Sequence, residues 1–309
     1  VDVNGVRRTW RATHEAPHEA RRIFCFGGST MWGTGARDEF TIPSFLARQL
    51  DARQLPADVT NFGESGYVST QCLLALMNEL NAGNVPDVVV FYDGVNDTYS
   101  AYQNQVAGIP QNELHRRREF NGHKKRLAML GKSYFPGLLC TTGSLTRRWA
   151  ASSAPREFEP HAAQQRHDQL ADDVIRHYKA NLESIDFLAH RHGFQALYYW
   201  QPTVFHKTVR SPDEARFSCA CERLLQPVYE RVECDSQLRA RTNFHNVSHI
   251  FANEATPQFI DWCHLAAQGN ERIARRMAAD IGVRLLAPAW SAPTQQQEHR
   301  PQRVASHTD

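Results

Sequence analysis

The sequence predicts an α/β protein: a three-layer α/β/α sandwich around a mainly parallel, flavodoxin-like sheet of about five strands. Three observations carry that expectation. Short apolar runs alternate with segments of helical period, in the order strand, helix, strand, helix, strand. The run 87–94 (DVVVFYDG) is apolar at consecutive positions, so both its faces are covered, as in a parallel sheet flanked by helices. Glycines close the runs, where a strand must turn into a loop.

The elements follow in order. Residues 22–28 (RIFCFGG) read as a buried strand that enters a glycine loop. Residues 41–54 read as a helix with Pro43 in its first turn, where the missing N–H costs nothing. Residues 59–63 (VTNFG) are a second short strand. Residues 69–82 are a helix with Leu73, Leu76, Met77 and Leu80 on one face and Gly83 as its stop. After the third strand at 87–94, the pattern resumes with a long helix over 168–192 and a strand over 194–200 (FQALYYW). A fifth strand is expected over 246–250. A closing helix follows over 266–281, with Ile273, Met277 and Ile281 turned inward.

The domain expectation is an irregular N-terminal segment (1–21), one domain over 22–287, and a disordered tail over 288–309 that is rich in Gln, Pro, Ser and His. Two insertions interrupt the domain, at about 98–167 and 203–243. A connection as long as the first inside a compact domain is usually functional. Its Tyr99, Tyr102, Phe120, Tyr134, Phe135 and Trp149 suggest a cap, a substrate-binding insertion or a partner surface. The second insertion is expected to be helical.

Bulk properties exclude several classes. With 309 residues, 41% hydrophobic and 22% charged, the chain reads as a globular protein. A net charge of +2 gives no field that points to nucleic acid, and none is expected as a partner. The basic residues Arg116, Arg117, Arg118, Lys124, Lys125 and Arg126 read as a solvated loop face. No run of 18 apolar residues exists to span a membrane, and no signal peptide is visible. The chain begins at Val1 rather than Met, so a membrane anchor or leader upstream is an open expectation. Seven cysteines (25, 72, 140, 219, 221, 234 and 263) do not make a small disulfide framework. Cys25 and Cys72 read as buried thiols; Cys219, Cys221, Cys234 and Cys263 include one disulfide or stay free. Cys-x-Cys followed by single cysteines lacks the paired spacing of a structural zinc site, so no metal is expected.

Four short segments carry the chemistry, each at the end of a strand or just before the closing helix. They are Gly27-Gly28-Ser29-Thr30, Asn61-Phe62-Gly63-Glu64-Ser65-Gly66, Gly94-Val95-Asn96-Asp97 and Asp261-Trp262-Cys263-His264. Each has a plainer reading alone: a turn serine, a strand-to-helix glycine loop, a turn asparagine, a capping aspartate with a surface histidine. Neither a Gly-Lys-Ser/Thr phosphate loop nor a Gly-x-Gly-x-x-Gly fingerprint fits the first. In an open parallel sheet, however, the carboxyl ends of the strands line one crevice, so the segments can converge.

Taken in order, GGST, NFGESG, GVND and DWCH resemble the four blocks of the SGNH/GDSL hydrolase superfamily, from about residue 22 to 281. The resemblance implies the SGNH hydrolase fold and a serine esterase without metal or cofactor. It implies Ser29 as nucleophile, His264 as base and Asp261 as the residue that orients it. The Ser29 N–H, Gly66 and Asn96 would form the oxyanion hole, with Gly63 the alternative to Gly66. The first block departs from the namesake GDSL by Gly28 in place of aspartate, which removes a supporting acceptor and no catalytic group. The implied substrate is a small-molecule or glycan ester. An extracytoplasmic polysaccharide O-acetyltransferase and an inactive binding protein are the alternatives; location leans outside the cytoplasm, with the cytoplasm as the alternative. Acyl group, alcohol and oligomeric state stay open, because a fold does not choose them.

Overall fold

A computed structural model describes residues 1–2, 5–12, 20–120 and 160–286. Five parallel strands form one sheet: β1 (Arg21–Gly27), β2 (Ala57–Asn61), β3 (Val88–Asp93), β4 (Gln195–Trp200) and β5 (Phe244–Asn246), in the spatial order β2-β1-β3-β4-β5. Every pair is parallel, with Phe24 against Val89 and Val89 against Ala196 in register. This is the flavodoxin-like order. The strand order switches direction between β1 and β3, and a crevice opens there at the carboxyl ends.

Alternation along the strands fills two cores. Phe24, Phe26, Val89, Phe91, Tyr198 and Trp200 point to one face. They meet α3 (Ser69–Asn81), α6 (Pro160–His192) and α7 (Glu222–Cys234) through Leu76, Tyr178, Leu182 and Tyr229. Ile23, Cys25, Val88, Val90, Tyr92, Leu197 and Tyr199 point to the other face. There they meet α2 (Ile42–Asp51) and α9 (Ala267–Leu286) through Leu46, Leu50, Ile273, Met277 and Ile281. All six residues of β3 are buried, as its apolar run requires. Each fully buried large apolar side chain contributes about 1.5–3 kcal/mol, so the two faces carry most of the stability of the sheet.

Several boundaries differ from the sequence expectation. The fifth strand is Phe244–Asn246, not 246–250; it pairs with Tyr198–Trp200. The last bond to β4 runs from the Val247 N–H to Trp200 O at 3.1 Å, and residues 248–250 then turn away from the ladder. Met77 is 38% exposed. The inward stripe of α3 is Cys72, Leu76 and Leu80, a strict four-residue spacing that leaves Met77 one step outside. The second insertion is helical only in its latter half, as α7 and α8 (Ser236–Ala240); before them lie two short 3-10 turns. The described edges of the first insertion are helical: α4 (Val95–Asn104), α5 (Glu113–Phe120) and the start of α6. Tyr134, Phe135, Trp149, Lys124, Lys125, Arg126, Cys140 and the tail 288–309 lie outside the described residues. Arg116 is exposed and Arg117 pairs with Glu113 on α5, a solvated face. No helix among the described residues is long and apolar enough to cross a membrane.

Candidate active site

The crevice between β1 and β3 collects the four segments. β1 ends at Gly27, Gly28 caps a one-turn helix α1 (Ser29–Trp32), and Ser29 is its first residue. The N–H groups of a first helical turn have no acceptor within the helix, so the Ser29 N–H is left to the crevice. Two glycines allow the tight approach. A Cβ on Gly27 would stand 2.6 Å from Tyr92 O, and one on Gly63 2.4 Å from the Trp32 N. Asn61 ties the same loop down, accepting the Gly63 N–H at 2.9 Å and donating to Met31 O at 3.1 Å.

A residue outside the four segments also holds α1. The Arg7 guanidinium donates to Trp32 O at 2.8 Å, Gly33 O at 2.9 Å, Ala36 O at 2.6 Å and Asp38 Oδ1 at 3.1 Å. It lies over the Trp32 ring, and its side chain is only 10% exposed. One carbonyl at the end of α1 and two just past it thus find a cation, as the end of a helix favours. Arg7→Ala is expected to lower the unfolding free energy by about 2 kcal/mol, because it leaves those carbonyls without their charged donor. Urea denaturation measures this; a change within ~0.5 kcal/mol would mean Arg7 is a passive surface residue.

On the facing loop, the chain turns around the Asp261 carboxylate. Oδ1 accepts the N–H of Cys263 at 2.8 Å and of His264 at 2.7 Å, while Oδ2 lies 2.6 Å from His264 Nδ1. This explains how a three-residue spacing brings carboxylate and ring together. Burial works to raise the Asp261 carboxyl, but the His264 ring and the two backbone N–H groups outweigh it and hold it below the ordinary aspartate range. The other ring nitrogen, His264 Nε2, lies 2.7 Å from Ser29 Oγ across 235 residues of chain. In the tautomer that directs Nδ1–H to Asp261, Nε2 is free to accept a hydrogen bond from the Ser29 hydroxyl.

Asn96 is the second residue of α4 rather than a turn residue. Its Nδ2 donates to Tyr67 O at 2.8 Å, and its Oδ1 accepts from Gln111 Nε2 at 3.0 Å. Gln111 also borders Gly66: a Cβ there would lie 3.3 Å from Gln111 Oε1. Gly66 has φ +78°, the left-handed region that favours glycine. Behind Asn96, Asp97 accepts from Ser69 Oγ at 2.5 Å and from the Ser69 N–H at 3.1 Å, which ties α4 to the start of α3. Burial pushes the Asp97 carboxyl up against those hydrogen bonds, and burial with Asp97 alongside pushes Asp93 well up. Gly94 has φ +120°, and a Cβ would meet the Trp200 ring at 2.8 Å.

The structure therefore brings Ser29, His264 and Asp261 into one hydrogen-bonded run, with Asn96 beside Gly28 and Gly66 in the adjoining loop. Sequence reasoning missed Arg7, Tyr67 and Gln111. The six described cysteines are free thiols: 25, 72, 219, 221, 234 and 263. Among the described residues, Asp261, Cys263 and His264 hold ligand atoms within 4.8 Å of one another, spacing that suits a metal ion. Their chemistry suits it poorly. Asp261 and His264 are already spent on each other and on Ser29, and burial pushes the Cys263 thiol well up, against the thiolate a metal needs.

The fold and site define an open parallel α/β protein with polar, glycine-rich loops lining the crevice at its carboxyl edge. The chain belongs to the GDSL-like Lipase/Acylhydrolase family, whose model matches residues 23–277, and is by that membership a carboxylic ester hydrolase. No curated protein sequence matches it. Solved structures with a similar trace include an acetylxylan esterase from Geobacillus stearothermophilus, at 14% identity over 85% of this chain and 94% of that one, TM-score 0.45. A lipolytic protein of the G-D-S-L family from Veillonella parvula is 12% identical over 86% of this chain and 100% of that one, TM-score 0.45. A gut microbial diltiazem-metabolizing enzyme is 14% identical over 85% of this chain and 47% of that one, TM-score 0.49.

Proposed function

We propose that the chain is a serine esterase that cleaves carboxylic esters, O-acyl groups on carbohydrate among them, through a covalent acyl-enzyme. The observation that carries the proposal is the run from Ser29 Oγ to His264 Nε2 and from His264 Nδ1 to Asp261 Oδ2, at 2.7 and 2.6 Å. In this reading His264 takes the Ser29 proton as the oxygen attacks the ester carbonyl, then returns it to the leaving alcohol. Water attacks the acyl-enzyme with His264 again as base. Asp261 keeps the ring in the useful tautomer and stabilises its charged form.

Three donors would meet the developing oxyanion: the N–H of Ser29, the N–H of Gly66 and Nδ2 of Asn96. Gly66 is favoured over Gly63 because the Gly63 N–H is already given to Asn61. Asn96 gives one amide hydrogen to Tyr67 O and keeps the second, and Gln111 fixes which end of the amide faces the crevice. The glycine that replaces the aspartate of the GDSL pattern follows from this arrangement. A Cβ on Gly28 would fall 2.0 Å from Asn96 Nδ2, so the amide occupies the space a side chain would need. Gly28→Ala is therefore expected to keep the fold, since a side-chain amide can move aside, and to lower kcat by ~10²–10³, the usual cost of one lost oxyanion donor. Unchanged kcat with an unchanged melting temperature would remove Asn96 from the oxyanion site.

Trp262, next to Asp261, is flanked by Tyr99 at 6.2 Å and Phe205 at 6.4 Å. Such an aromatic edge supports a sugar face or a short acyl chain as its neighbour. The test is fluorophosphonate labelling mapped by peptide mass, together with hydrolysis of p-nitrophenyl acetate, butyrate and octanoate and of a peracetylated sugar. Label on Ser29 is expected, and label absent from a folded protein would sink the serine mechanism. Cleavage of the nitrophenyl esters without the sugar esters would remove the carbohydrate part.

A further inference from the structure

The Cys-x-Cys pair ahead of α7 plays no part in ester cleavage, yet its geometry is not that of two inert core thiols. Cys219 Sγ and Cys221 Sγ lie 2.9 Å apart, and the Cys221 N–H also points at Cys219 Sγ, at 3.3 Å. A thiol contact and a backbone donor thus meet at one sulfur just before the N-terminus of a 13-residue helix. The pair is asymmetric. Cys221 is fully buried, whereas Cys219 is partly exposed and forms part of the wall of a cavity of about 620 Å³. Tyr102, His167, Glu222, Arg223 and Gln226 line the same cavity, so a small zwitterionic peptide would meet polar groups and charges of both signs there.

We propose that Cys219 and Cys221 form a thiol–disulfide exchange site that takes low-molecular-weight thiol disulfides of the glutathione class, with Cys219 attacking and Cys221 resolving. The Cys219 thiolate attacks one sulfur of the disulfide, a mixed disulfide forms, and one thiol leaves. Cys221 then attacks the Cys219 sulfur, the Cys219–Cys221 disulfide forms, and the second thiol leaves. Two cysteine thiols are oxidised and one disulfide is reduced to two thiols, which carry away the two protons. The order of attack follows from the environments. The hydrogen bond from Cys221 outweighs burial at Cys219 and lowers its thiol, while that same bond and burial raise Cys221. Once Cys219 is in the mixed disulfide, it carries no negative charge to hold the proton on Cys221. This inference does not rest on the role given to Ser29.

The sequence makes the test direct. Trypsin cuts after Arg216 and Arg223, so residues 217–223 (FSCACER) contain both cysteines of the pair and no other. The folded protein is treated with oxidised glutathione, acid-quenched, alkylated and mapped by mass. In the wild type this peptide is expected two hydrogens lighter, and formed about 10-fold faster than any adduct on the exposed Cys234. In Cys221→Ser it is expected to carry one glutathione on Cys219, and in Cys219→Ser to stay unmodified. A wild-type peptide that stays reduced while Cys234 reacts, or that retains glutathione, overturns the proposal. So does a Cys221→Ser peptide without the adduct. The wild-type result needs no variant, so a misfolded variant does not decide the question.

Discussion

Ser29→Ala is expected to lower kcat by ~10⁶ and Asp261→Asn by ~10⁴, with both proteins folded. The serine substitution removes one hydroxyl whose described bond is to His264 Nε2; the backbone of α1 stays held by Arg7 and Asn61. The aspartate case is more telling, because the local backbone dictates how an amide would sit. Oδ1 accepts two N–H groups, from Cys263 and His264, so the oxygen of an asparagine stays there and its NH₂ replaces Oδ2. That NH₂ faces His264 Nδ1, which must then accept rather than donate. The ring proton moves to Nε2, the serine loses its base, and turnover falls although no atom is displaced. A kcat for Asp261→Asn within 10-fold of wild type would show that His264 is oriented by something else. Acid gives an independent check. The Asp261 carboxyl is held below its ordinary range in the folded chain, so the stability it contributes is present above the ordinary aspartate pKa of ~3.9 and is lost as pH falls through the lower folded value. Asp261→Asn removes that acid-side dependence.

How much of this was legible in the sequence depends on whether the signal is periodic, ordered or purely spatial. The parallel sheet was legible because β3 is apolar at five consecutive positions, Val88 to Tyr92, and helices of clear period separate the strands. The fifth strand was misplaced because three residues at a sheet edge carry almost no pattern, and 246–250 merely looked as apolar as Phe244–Asn246. Met77 was assigned inward because a three- and four-residue spacing cannot fix the width of a helix stripe. Ser29, Gly66, Asn96, Asp261 and His264 were singled out by their order along the chain, not by any one of them. Gln111 and Arg7 could not be found in this way. Gln111 lies in a connection without periodicity and acts only because α4 brings Asn96 to within 3.0 Å of it. Arg7 sits in a polar segment that gives no sign it will reach four acceptors around α1.

Glu214→Ala is expected to destabilise the fold by about 3–5 kcal/mol, because it leaves a buried charge unpaired. Lys207 Nζ lies 2.6 Å from Glu214 Oε2, and the two side chains are 1% and 0% exposed. Oε2 also accepts the Ser211 N–H at 3.0 Å, and Oε1 accepts the N–H groups of Gln258 and Phe259 at 2.8 and 3.2 Å. Lys207 in turn donates to Thr256 O at 3.1 Å. One carboxylate thereby fastens the second insertion to residues 256–259, directly ahead of Asp261. Burial works to raise this carboxyl, and Lys207 with the backbone N–H groups outweighs it, so its contribution persists above the ordinary glutamate pKa of ~4.3 and disappears as pH falls below. A buried ion pair stabilises little against an apolar pair of equal volume, so Lys207→Met with Glu214→Leu should cost less than Glu214→Ala alone. The double variant still leaves three backbone N–H groups without acceptors, and its turnover should fall with the placement of Asp261 even where the sheet stays folded. If urea titration puts Glu214→Ala within 1 kcal/mol of wild type, or if the double variant keeps full kcat, the pair is not what holds the Asp261 loop.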